Sequence, residues 1–229
     1  MPNASSQTVE LQRVCRLLGV EFEDPELMRQ ALRHKSMGRL NNERLEFLGD
    51  AVLGQVIAHE LYLRYPNTHE DGLSLMRAAL VRRDALALVA RELDLGRALE
   101  LGGGELKGGG HQRSSILADA FEAVIGAVYL DGGFEVARTL LLRLFDERLN
   151  QVKVTKDAKT LLQELLQSRK SPLPTYEVIE VTGPDHAKHF KVSCQLADGS
   201  QQAIGQAASR RAAEQNAAAG LLELLGVFT

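Results

Sequence analysis

The stretch "NNERLEFLGDAVLG", residues 41–54, sets three acids, Glu43, Glu46 and Asp50, into a run whose other residues are spaced as a half-buried apolar helix. At about 100° per residue the three carboxylates fall within roughly 60° of one another, while Leu45, Leu48, Val52 and Val56 fall on the opposite side. The spacing predicts a helix with a packing stripe and a separate carboxylate face. The segment "SSILADAFEAVIGAVYL", residues 114–130, repeats the design: Asp119 and Glu122 share one face, and Leu117, Phe121, Val124 and Val128 share the other.

Two readings of these faces stand side by side. Charged faces on helices are commonly just solvated surface. Against that, like charges at i,i+4 destabilise a helix by a few tenths of a kcal/mol, and neither face places a Lys or Arg where it could neutralise all its acids. Four carboxylates converging from two helices would suit a hard divalent cation with a phosphate as a further ligand. Gly49 and Gly126, beside or on the acidic faces, fit either close approach of a substrate or backbone, or plain helix packing. A di-iron site is disfavoured, because such bundles use Glu-x-x-His pairs and here the pairs are Glu43-x-x-Glu46 and Asp119-x-x-Glu122. The serines and the six histidines form no nucleophile motif.

Helical periodicity continues in both directions from these segments, through "LQRVCRLL", "PELMRQAL", "LSLMRAALVRRDALALVARELDL" and "FEVARTLLLRLFDERL". Pro66, the run "LGGGELKGGG" at 101–110 and "DGG" at 131–133 punctuate the pattern. The glycine run lacks phosphate-loop spacing and follows no strand, so a flexible connector is expected there. After the polar segment "QVKVTKD" at 151–157 the texture changes. A helix, "AKTLLQELLQSR", precedes two β-rich runs around a Gly-Pro turn in "PTYEVIEVTGPDHAKHFKVSCQL", then "QQAIGQA" as a third strand and "SRRAAEQNAAAGLLELL" as a helix with Ser209 as N-cap. The expected fold is multidomain: an all-α domain over 1–152, a linker over 153–156, and a small α+β domain of order α-β-β-β-α over 157–229.

Composition sets outer limits. The 229 residues suffice for one ordinary domain and a small one, and no apolar run reaches the roughly 18 residues of a membrane span. The start "MPNASSQTVELQRVC" lacks the pattern of a secretory signal, and Cys15 and Cys194 offer no disulfide framework, so a soluble cytoplasmic protein is expected. A net charge of −3 leaves polyanion binding to local patches.

"NNERLEFLGDAVLG" closely resembles the signature of the ribonuclease III family, and "RSSILADAFEAVIGAVYLDGG" resembles that family's second acidic helix. "HEDGLSLMRAALV" and "LGGGELKGGG" match the segments between, so the resemblance runs from about residue 8 to 226. It implies a magnesium-dependent endoribonuclease of double-stranded RNA, with manganese as a substitute metal. By match to the motifs, Glu46, Asp50, Asp119 and Glu122 are the metal-binding catalytic set, and Glu43 and Glu70 support the site or the subunit boundary. Phe47 matches a residue that packs into a partner, which implies a homodimer with both sites along one RNA cleft. Products with 5′-phosphate and 3′-hydroxyl ends and short 3′ overhangs are implied, and ribosomal precursors and structured messengers as substrates.

The C-terminal region resembles a double-stranded RNA-binding domain. Thr160, Gln163 and Glu164 match first-helix positions that reach a minor groove, where 2′-hydroxyls are read by shape. His186, in "GPDHAKHF", matches the loop entering the next minor groove. Ser209, Arg210 and Arg211 match the start of the last helix, which clamps phosphates. Ala207 and Ala212 depart from the family pattern, where many members have a glycine and some a third basic residue. Residues 157–229 carry seven Lys or Arg against eight acids, so weak binding by this region alone is expected. A non-catalytic duplex-RNA regulator is the alternative, which would be expected to have lost some of the four acids. A metal phosphohydrolase of small substrates is disfavoured by the RNA-binding region.

Overall fold

Two glycines set the geometry of the helical region. A computed structural model describes residues 4–153, 157–184 and 187–227. The chain divides into two compact units, Met1–Val154 and Thr155–Thr229.

In the first unit, α1 (Ala4–Leu18) and α2 (Pro25–Ala31) lead to a 3-10 turn at Lys35–Met37. Then follow α3 (Glu43–Arg64), α4 (Glu70–Val81), α5 (Arg83–Glu92), a 3-10 turn at Leu95–Ala98, α6 (Gly103–Lys107) and a 3-10 turn at Gly110–Gln112. The last and longest helix is α7 (Ser114–Gln151). Pro66 stops α3, since it cannot supply the next backbone donor. Within α7 the helical path breaks once, at Gly133 (φ 80°), where "DGG" was expected to punctuate.

The packing stripes are as expected. Leu45, Val52, Val56, Leu117, Phe121, Val124 and Val128 are buried, and Phe121 meets Phe145 with ring centroids 6.1 Å apart. Leu48 is only half-buried. The axis of the unit is the packing of α3 against α7. At that crossing a Cβ on Gly49 would overlap the carbonyl oxygen of Glu122, and one on Gly126 would overlap the carbonyl of Leu45. Of the two readings of these glycines, the structure takes close helix packing.

The glycine-rich run corrects the expectation of a flexible connector. It holds the short helix α6 and a 3-10 turn, fixed by an Arg113–Glu105 ion pair at 2.8 Å and by Gly102 N–H donating to Ser36 Oγ at 2.8 Å. A Cβ at Gly102 would crowd Ser36 O at 2.7 Å, and Gly109 takes φ 69°, so two of these glycines serve close approach and a left-handed turn. Composition pointed to flexibility because long-range hydrogen bonds leave no trace in local sequence.

The second unit has the expected α-β-β-β-α order: α8 (Ala158–Ser168), β1 (Thr175–Thr182), β2 (His189–Gln195), β3 (Gln202–Ala207) and α9 (Arg210–Leu224). The strands form an antiparallel sheet in sequence order, with a bulge between Val178 and Glu180. Asp157 caps α8 by accepting from Thr160 N at 2.9 Å, and Ser209 caps α9 by accepting from Ala212 N at 3.2 Å. Leu162, Leu166, Cys194, Ala217, Ala218, Leu221 and Leu222 make the core. The alanines of α9 allow close approach to β3, where a Cβ on Gly205 would overlap Ala213 O and Ala217 N.

Candidate active site and nucleic-acid interface

The α3–α7 crossing brings two carboxylate faces together. Carboxylate oxygens of Glu46, Asp119 and Glu122 all lie within 4.8 Å of one another, and each residue is half-buried. Asp50 lies outside this trio, exposed on the next turn of α3, but its charge is the strongest of those that raise the Glu122 pKa. Glu43, at the start of α3, pairs with Lys35 at 3.5 Å and accepts from Asn41 Nδ2 at 3.3 Å. Glu70 begins α4, exposed, and accepts from Ser74 Oγ at 2.8 Å; it is not one of the trio.

The electrostatics are those of a site short of positive charge. Burial, then the charges of Asp50, Glu46 and Asp119, push Glu122 up to about 8. Glu46 is raised by burial and by Asp119, Glu43 and Asp50, and Asp119 by burial. A carboxylic acid with a pKa raised to about 8 is largely protonated at neutral pH, and a bound cation favours its ionised form. Three hard oxygen donors fit a divalent metal of the magnesium or manganese type, with room for substrate oxygens.

Sequence spacing missed three residues whose charges act on this cluster. The charges of Lys35 and Arg83 pull down on the acids, Lys35 on Glu46 and Asp119, Arg83 on Asp119 and Glu122, and His34 acts on Asp119. None of the three is on the acidic helices, so helical spacing gave no sign of them.

On the second unit, Thr160, Gln163 and Glu164 are exposed together on α8, opposite buried Leu162 and Leu166. Arg210 and Arg211 are exposed at the start of α9, next to the Ser209 cap. Here too the sequence missed a feature. Glu214 ties the two helices together, accepting from Lys159 Nζ at 2.7 Å and from Arg210 Nε at 2.9 Å, while Lys159 also stacks 4.4 Å from the Tyr176 ring centre. These pairs hold Glu214 below the usual carboxylate range. The turn after β1 is tight, because Gly183 sits at φ 88° against Ala187 O. His186, expected in that turn, lies outside the described residues.

The family model described as Ribonuclease-III-like matches residues 24–148, and the model for the double-stranded RNA binding motif matches 158–225. Ribonuclease 3 of Shewanella baltica is 56% identical over 218 residues, which is 94% of this chain and 96% of that protein.

The chain belongs to the ribonuclease III family.

Ribonuclease 3 of Shewanella oneidensis is 55% identical over the same share of both proteins. The solved nuclease domain of ribonuclease III from Campylobacter jejuni is 43% identical, with a TM-score of 0.59, covering 60% of this chain and 96% of that one. As a ribonuclease III with both modules, the protein is an endoribonuclease of double-stranded RNA. Among the described residues no helix is long and apolar enough to cross a membrane.

Proposed function

We propose that the protein hydrolyses phosphodiester bonds of duplex RNA with magnesium held by Glu46, Asp119 and Glu122, and with Asp50 completing the catalytic set. The observation that carries this reading is the 4.8 Å convergence of three carboxylates whose ionised forms are disfavoured, first by burial. When bound, the metal supplies Lewis acidity at the phosphate and a water of lowered pKa. The chain's own part is to fix the ligands. The glycine-mediated crossing of α3 and α7 orients Glu46 toward Asp119 and Glu122, and Asn41 holds Glu43 at the helix start. Glu43 and Glu70 are supporting residues in this reading.

The nuclease module is assigned to 1–152, a connector to 153–156 and the RNA-binding module to 157–229. Thr160, Gln163, Glu164, His186, Ser209, Arg210 and Arg211 contact RNA. Phe47, 80% exposed on the α3 surface, packs into a second copy, so that the homodimer cuts both strands. The Campylobacter jejuni nuclease domain is described as having a region involved in dimer formation, which supports this assembly. Products carry 5′-phosphate and 3′-hydroxyl ends with short 3′ overhangs, and the substrates are ribosomal precursors and structured messengers in the cytoplasm. The test is incubation of a long duplex RNA with and without magnesium, followed by mapping of both product ends. Magnesium-dependent fragments with those ends support the reading; 3′-phosphate ends or metal-free cutting overturn it.

A further inference from the structure

We propose that Lys35 and Arg83, two exposed cations beside the carboxylate cluster, form a phosphate seat that holds the RNA strand while it is cut. The inference rests on the active-site reading above and concerns residues outside the acidic helices.

Arg83 is placed by the register of two helices. At the far end of α5, Arg91 Nη2 donates to Ser114 Oγ at 2.8 Å and to Gln112 O at 3.3 Å, which pins that end to the start of α7. Arg83 lies eight residues before Arg91, and Glu122 lies eight residues after Ser114. At about 1.5 Å per residue, equal steps along antiparallel helices bring Arg83 level with Glu122. The buried stripe of Leu86, Ala87, Val89 and Ala90 holds α5 in that position. Consistently, the Arg83 charge bears on Asp119 and Glu122.

Lys35 pairs with Glu43 at 3.5 Å, and its charge bears on Glu46 and Asp119. Its 3-10 turn is built rather than loose. His34 N–H donates to Glu100 O at 3.0 Å, and Ser36 N–H donates to His34 Nδ1 at 3.2 Å. Ser36 Oγ also accepts from Gly102 N at 2.8 Å. Both cationic side chains are exposed.

A duplex approaching this site brings several phosphates toward acids that repel them. Magnesium offsets that repulsion only where it is bound. Arginine offers a planar fork that matches phosphate oxygens, and lysine a point charge, so a pair beside the cluster can hold the strand by its phosphates. The competing account is that the two cations merely neutralise the acids. That account predicts the opposite behaviour, because removing a neutralising cation tightens metal binding and leaves RNA binding alone.

The experiment measures duplex-RNA binding by the full chain in magnesium, across about 50–250 mM salt, in a Glu122→Gln background. Arg83→Gln and Lys35→Gln are each expected to weaken binding about fivefold and to lower the salt slope by about one. Arg82→Gln removes the same charge one residue away and is expected to change neither quantity. In the otherwise wild-type enzyme, Arg83→Gln is expected to raise KM more than it lowers kcat, with Arg83→Lys recovering part of the loss. Unchanged affinity and slope with tighter magnesium binding would overturn the seat. So would equal losses in Arg82→Gln, which would mean general surface charge. A Glu122→Gln parent that still cuts RNA at the wild-type rate is a different failure: it overturns the reading of the carboxylate site, and the seat with it.

Discussion

Gly49 stands so close to the backbone carbonyl of Glu122 that no side chain fits between them, and its absent Cβ would also lie 2.9 Å from the amide nitrogen of Gly126. The residue that lets α3 touch α7 is thus one turn from Glu46 and directly beneath Glu122, so the packing contact and the convergence of acids are one feature. Gly49→Ala is expected to cost about 3 kcal/mol, because the opposing group is backbone and cannot swing away. Thermal unfolding should show a melting temperature lower by about 10 °C, and magnesium titration a weaker site. An unchanged melting temperature would mean the helices separate without cost.

The pH dependence of stability follows from Glu122. Its folded pKa, about 8, lies above the ordinary 4.5, so between those values the folded state binds more protons than the unfolded one. Stability of the metal-free protein is therefore expected to fall as pH rises from about 4.5 toward about 8. Thermal scans in chelator across that range check this, and Glu122→Gln should flatten the curve. Magnesium should restore the lost stability at the alkaline end, with release of a proton detectable in weakly buffered solution.

Glu214 behaves with the opposite sign. Its pKa is lowered, first by Lys159, so its contribution is present above the ordinary carboxylate value and is lost as pH falls through its own lower value. Glu214→Gln is expected to cost the RNA-binding unit about 1 kcal/mol, an effect that shrinks in high salt. Denaturant unfolding at low and high salt measures it.

Phe47→Glu is expected to give a monomer in sedimentation experiments while leaving the melting temperature of the monomer nearly unchanged, because the side chain is exposed and packs against nothing in its own core. A dimer that persists in the variant would place the interface elsewhere.

Much of this was legible in the sequence because it is periodic. The stripe through Leu45, Val52 and Val56, the pairing of Asp119 with Glu122, the break at Gly133 and the Ser209 cap all follow from spacing and residue type within one or two turns. What spacing could not show was long-range. Gly102 donates across the chain to Ser36, which turns a glycine-rich segment into fixed structure. The Arg83 charge bears on Glu122 from α5, a helix about which the spacing of α7 says nothing. Lys159 and Arg210 meet at Glu214 from two different helices. Spacing put Glu43, Glu46 and Asp50 on one face, and only the crossing shows that Glu46 is the one whose oxygens come within 4.8 Å of Asp119 and Glu122.

In the proposed function, the acids at the α3–α7 crossing would hold the metal on which cleavage of duplex RNA depends. Single-turnover cleavage of a defined duplex by Glu122→Gln, measured beside its RNA affinity in the same magnesium buffer, tests it most directly. The expected result is a rate lower by about a thousandfold, or about 4 kcal/mol of barrier, with affinity within about threefold of the wild type. Cleavage at the wild-type rate, or loss of cleavage explained wholly by loss of RNA binding, would contradict it.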